Sequence, residues 1–150
     1  MVYYVLNEAS NGAVRPYFES VFPNENGGHL PYFWGISAAS LTDTKHGVQI
    51  TRAADMVPGC TMRSANGGHV LVITGVSAKR IDYTHSNSSK GPHAAYISIG
   101  NPNVDLKDSA QTWHDTEYTD SRAKSLYNYT VLLNCISRYS SANPLNNTNF

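Results

Sequence analysis

Asn66-Gly67-Gly68-His69-Val70-Leu71-Val72-Ile73-Thr74-Gly75 contains the plainest strand in the chain. Val70 to Ile73 are all apolar and glycines stand on either side, a pattern that predicts a strand buried on both faces. His69 sits at the mouth of that strand. Taken alone, a histidine at the edge of an apolar strand is a hydrogen-bonded structural residue. On its C-terminal side, Arg80-Ile81-Asp82-Tyr83-Thr84-His85-Ser86-Asn87 alternates apolar and polar residues. That period predicts an antiparallel partner, joined through a turn at Ser77-Ala78-Lys79, and a hairpin of this kind brings His85 near His69. Ser86 to Pro92 reads as a polar loop, with His93 just beyond it and Ala94 to Ile99 as another alternating strand. Asn103 to Tyr118 reads as loop, with Trp113 as a packing anchor and His114 as a surface residue. Tyr129 to Ile136 supplies a closing strand.

On the N-terminal side, Pro58-Gly59 is a strong turn signal, and the residues after it enter the sheet as a strand. Val48 to Met56 has no clean period and reads as a connector with a short helical piece. Further back, Pro31-Tyr32-Phe33-Trp34-Gly35-Ile36-Ser37-Ala38-Ala39-Ser40-Leu41-Thr42 runs from an aromatic loop into small residues with helix-starting chemistry. Gly35 permits a bend, Ser37 caps the first free N–H groups, and Ala38 and Ala39 fill the first turn. A helix of about ten residues is expected, ended by Gly47 and held by packing on the sheet. A thiol at such a helix start is biased toward the thiolate. Val2 to Leu6 reads as a short strand or packing segment, and Asn7 to Gly28 as loops with at most one short helix. His29 reads as a surface loop residue.

Lys+Arg and Asp+Glu balance at 11 each, which removes the electrostatic argument for nucleic acid or an anionic membrane as partner. The charged fraction is only 15%, and Tyr, Ser, Asn and Thr abound, a balance suited to an extracellular or cell-envelope domain. No apolar run is long enough to span a membrane, and Met1-Val2-Tyr3-Tyr4 does not resemble a signal peptide. Cys60 and Cys135 are two cysteines, too few for a disulfide framework, and two unrelated buried thiols explain them equally well. Several histidines fall in the second half, yet no His-x-x-x-His or Cys-x-x-Cys spacing occurs, so neither a metal nor another cofactor is expected. The Ser- and Asn-rich tail, residues 140–150, is expected to be loosely held.

Three segments, in this order and spacing, resemble the NlpC/p60 family, papain-like cysteine peptidases of bacterial cell walls. They are Tyr32-Phe33-Trp34-Gly35 with the small residues after it, the turn Pro58-Gly59-Cys60, and Gly68-His69-Val70. The likeness covers roughly residues 31 to 99 of a chain expected to be a single domain over 1–150. It implies an α+β, papain-like fold, with a short helix on an antiparallel sheet of about five or six strands. It also implies roles. Position 38 is the family's nucleophile position, His69 the base, His85 the residue that orients it, and Tyr32 the support for the oxyanion. Trp34, Ser37 and Gly68 would line the substrate site.

The chain departs from the family where the chemistry is sharpest. The family's Asp falls on Ser37 and its Cys on Ala38, and Cys60 replaces the Asp of a Pro-Gly-Asp turn. Ala38 has no atom that can attack, and Ser37 and Ser40 lie about 100–200° around the helix from a residue one or two positions away. Cys60, on a turn into a strand, lacks the helix start that would activate it. Two readings follow. In the favoured one the chain is a secreted cysteine hydrolase of amide bonds in peptidoglycan stem peptides, disarmed by alanine in place of cysteine. In the other it is a natural pseudoenzyme that binds cell-wall peptide or a protein partner in the same groove.

Overall fold

A computed structural model describes residues 2–9, 11–12, 14–21, 37–87 and 91–137. Among the described residues, the helices α1 (Val2–Ala9), α2 (Val14–Val21), α3 (Ala38–Leu41) and α4 (Asp120–Leu126) accompany seven strands. These are β1 (Gly47–Ile50), β2 (Thr61–Ser64), β3 (His69–Ser77), β4 (Arg80–Asn87), β5 (Gly91–Ile99), β6 (Gln111–His114) and β7 (Tyr129–Leu133). They form one curled antiparallel sheet in the order β1-β7-β2-β3-β4-β5-β6, so the fold is α+β. His29, Tyr32, Trp34, Gly35 and the tail 140–150 lie outside the described residues.

The sheet separates two cores because β3 alternates between them. Leu71 and Ile73 pack with Met62, Ile81, Tyr83, Ile97, Trp113 and Tyr127 on one face. Val72, with Val70 against it, packs with Leu6, Leu41, Val131 and Leu133 on the other. The uniform apolar run is thus the signature of a strand covered on both sides. β3 and β4 pair through the expected turn, Ser77 opposite Arg80. The turn into β2 depends on Gly59, whose φ of 95° lies in the left-handed region that glycine enters without a Cβ penalty.

Several elements differ from the sequence reading for identifiable reasons. Val2–Ala9 is helix rather than strand, placing Leu6 in the second core with Val5 and Ala9 against it, the i, i+3 and i, i+4 spacing of one helical face. α3 has a single turn rather than about ten residues. Asp43 stops it by accepting from Lys45 N–H at 2.8 Å and bonding His46 Nδ1 at 2.9 Å, a local turn that competes with helix. Gly47 does not cap the helix but opens β1 opposite Leu133, where a Cβ would meet Val131 Cγ1 at 2.5 Å. Ser86, Asn87, Gly91 and Pro92 of the expected loop are strand, since β4 runs to Asn87 and β5 starts at Gly91, and residues 88–90 lie outside the described residues. Trp113 is the expected buried anchor, but it sits on an edge strand that buries Gln111 and Trp113 and exposes Thr112 and His114. The closing strand β7 lies inside the sheet, between β1 and β2, and the strands number seven rather than five or six.

Cys60 and Cys135 form no disulfide and are buried in different cores, so they are two separate structural thiols. Burial pushes the Cys60 thiol up to about 11. Both are therefore expected to resist a water-soluble thiol reagent in the folded protein and to react once urea unfolds it. A chromogenic disulfide assay checks this, and rapid native modification at either position would contradict the packing described. Among the described residues, no helix is long and apolar enough to cross a membrane.

Candidate active site

Four neighbouring strands deliver polar groups to one end of one sheet face. In an antiparallel array the start of β3, the end of β4, the start of β5 and the residue after β6 lie side by side. Those positions hold His69, His85, His93 and Asp115. His85 and His93 are direct cross-strand partners, with ring centroids 4.1 Å apart. The connection leading to His69 is tight: Ala65, Asn66 and Gly67 all take positive φ. For the alanine this costs about 1–2 kcal/mol, offset elsewhere in the fold.

His69 Nε2 lies 3.0 Å from His85 Nδ1, and His85 Nε2 lies 2.9 Å from Asp115 Oδ2. Asp115 Oδ2 also accepts from the Tyr83 hydroxyl at 2.6 Å, while Oδ1 accepts from Glu117 N–H at 2.8 Å and faces His93 Nε2 at 3.3 Å. Burial alone would raise this carboxyl. The bonds from Tyr83, Glu117 N–H and His85 outweigh it and hold Asp115 at about 2. A carboxylate only accepts, so it sets the direction of every bond upstream. His85 donates through Nε2–H and offers a bare Nδ1. His69 then donates through Nε2–H, which leaves its Nδ1 with a lone pair and, among the described residues, no hydrogen-bond partner.

The surroundings keep both rings neutral. Burial first, then the His85 ring, pushes the His69 imidazole below its ordinary value. Burial also lowers His85, against the opposing pull of Asp115. His85 is 0% exposed, and Tyr83 and Tyr118 stack on it at 5.8 and 6.2 Å between centroids. A neutral imidazole with a fixed tautomer and a free lone pair is a general base.

Of the residues singled out from the sequence, His69 and His85 are brought together. Ser37 is the expected N-cap of α3, accepting from Ser40 N–H at 3.1 Å. Ala38 opens that helix, which packs on β2 and β3, and the Thr61 hydroxyl donates to Leu41 O at 2.6 Å. The packing is on the Val70 and Val72 face, however, whereas His69 shares the Leu71 face. One turn of helix also carries little macrodipole, so activation of a thiol at position 38 would fall to His69. Gly68 lies in the exposed turn ahead of His69, its N–H donating to Ala65 O at 3.1 Å. Ser37, Ala39 and Ser40 line a cavity of about 320 Å³ together with Arg63 and Tyr129.

Asp115, Tyr83 and Glu117 are not singled out by sequence reasoning, and His93 enters it only among the histidines considered for a metal and set aside. Asp115 is remote from His69 along the chain, and the only local signal is a carboxylate directly after a short run ending in Trp113-His114. No protein-family model, curated protein or solved structure matches the chain.

Proposed function

We propose that the chain is a cysteine-hydrolase-type domain acting on amide bonds, with peptidoglycan stem peptides as the favoured substrate class, and that alanine at position 38 leaves it unable to cleave. The papain-like organisation of the fold and a place at the cell envelope belong to the same proposal. The observation that carries it is the ordered chain from Asp115 through His85 to His69, which ends in a basic nitrogen with no partner among the described residues. With a thiol at position 38, His69 Nδ1 takes the sulfur's proton and the sulfur adds to the amide carbonyl. His69 then returns the proton to the departing amine, and water, deprotonated by the same nitrogen, releases the acid from the thioester. A second reading is supported by the placement of α3 on the opposite face of β3 and by Ala38 itself. In that reading the chain binds peptide or a protein partner and cleaves nothing.

One experiment separates them. Ala38→Cys and the unaltered chain are incubated with purified peptidoglycan and with synthetic stem peptides, and products are followed by mass spectrometry. The hydrolase reading expects fragments from Ala38→Cys alone and a loss of about 10²–10⁴-fold when His69→Ala is added. Absence of fragments, together with a new thiol that labels no faster than free cysteine, overturns it in favour of binding. The two native thiols, both buried, do not interfere with that labelling.

A further inference from the structure

The proton chain leaves two anomalies at its far end. The Glu117 carboxyl interacts with the Tyr118 hydroxyl, but its Oε2 is buried with no hydrogen-bond partner among the described residues. A carboxylate oxygen withdrawn from water without a donor is costly, and native proteins rarely tolerate it. The second anomaly is His93, whose Nδ1 lies 3.1 Å from Gly91 O and whose Nε2 lies 3.3 Å from Asp115 Oδ1. A neutral imidazole has one N–H for these two acceptors, so the two oxygens call for positive charge at this ring, from a second proton or from a bound cation.

A cation between these groups resolves both. His85, His93 and Glu117 each present a ligand atom, and the three atoms lie within 4.8 Å of one another. We infer that these three residues form a binding site for a divalent cation of the zinc class. Two imidazoles and a carboxylate are donors that suit zinc, whereas magnesium and calcium favour oxygen. Ligand atoms around tetrahedral zinc stand about 3.3 Å apart, so the cluster contracts by at most about 1.5 Å on binding. Glu117 and His93 are only partly buried, which gives them room to move. Asp115, already bonded to His85 and beside His93, is placed to orient both rings as an outer partner.

Local sequence spacing missed this site because its ligands stand at 85, 93 and 117, and the cross-strand pairing of His85 with His93 assembles it. His85 already uses one nitrogen toward His69 and the other toward Asp115. Coordination takes one of the two, so the cation and the intact proton chain compete for one imidazole. The inference stands apart from the hydrolase reading, since it is tested on the chain as it is, with Ala38.

The test uses chelator-treated protein, with zinc affinity read by competition against a chromogenic chelator and geometry read from the visible spectrum of the cobalt(II) form. The expected result is one ion per chain at about micromolar Kd or tighter, with a four-coordinate cobalt spectrum. Glu117→Gln and His93→Gln are each expected to weaken binding by about tenfold or more, while His46→Gln and His114→Gln leave it unchanged. Binding clearly weaker than about micromolar, or binding insensitive to Glu117→Gln and His93→Gln, overturns the site. Should those variants fail to fold, ring NMR signals of the unaltered chain decide. Shifts of His85 and His93 on adding zinc support the site, and unmoved signals refute it.

Discussion

Replacing Asp115 with asparagine lowers the unfolding free energy by about 3–5 kcal/mol at neutral pH, the expected cost of breaking a buried, hydrogen-bonded charge network. Its carboxylate side chain is 1% exposed, and the Tyr83 hydroxyl, His85 Nε2, His93 Nε2 and Glu117 N–H all point at it. An amide has only one oxygen to offer them. Whichever way it turns, its NH₂ confronts at least one group that was donating, the Glu117 N–H on one side or the Tyr83 hydroxyl and His85 on the other. The loss is expected to depend on pH. The carboxyl stands at about 2 in the folded protein against 3.8 for an unperturbed side chain. A depressed folded value means that its contribution is complete above the unfolded value and disappears as pH falls toward 2. That difference corresponds to about 2 kcal/mol. Urea unfolding of both proteins at pH 7 and near pH 2 should therefore show the gap shrinking by that amount on acidification. A constant gap would mean that Asp115 is not the charged hub described. The same substitution reverses the chain wherever the amide NH₂ faces His85. His85 must then protonate Nδ1, and His69 Nδ1 gains a hydrogen and ceases to be a base. Nitrogen-15 NMR of the rings reads that tautomer exchange directly.

Trp113→Ala is expected to cost about 3–5 kcal/mol, a large part of the 5–15 typical of a whole domain. Trp113 is 4% exposed, meets the Tyr83 ring edge-on at 5.4 Å and Tyr127 at 5.6 Å, and donates from its indole to Leu106 O at 2.8 Å. Removing it opens a cavity and strands the Leu106 carbonyl. It also loosens Tyr83, whose hydroxyl holds Asp115. Trp113→Phe should recover part of the packing but not the hydrogen bond, and so fall between the two in urea unfolding. A loss below about 1 kcal/mol for the alanine variant would show that the first core does not close on this residue.

Much of the sheet was legible from the sequence. The apolar run from Val70 to Ile73, the alternation from Arg80 to Asn87 and the Pro58-Gly59 turn are local signals, because burial on two faces, burial on one and a chain reversal each leave a short-range pattern. Elements whose patterns are brief or competed for were harder. Val2 to Leu6 is too short to distinguish strand from helix by period. The helix expected from Ala38 stops at Leu41 because the Asp43 side chain closes a tighter turn. β6, four residues long and preceded by polar loop, shows too little alternation to stand out.

The candidate site divides along the same line. That His69 and His85 approach each other followed from a hairpin, since adjoining antiparallel strands bring positions on either side of a turn together whatever surrounds them. Asp115, His93 and Glu117 join them only because β5 and β6 extend the sheet in that order. Which distant residue completes a buried polar cluster is set by strand order and register, and these are properties of the whole sheet. The side of β3 on which α3 lies has the same origin. Sequence places Ala38 at the start of a helix, whereas the packing of Leu41 against Val72 rather than Leu71 decides which face that helix covers.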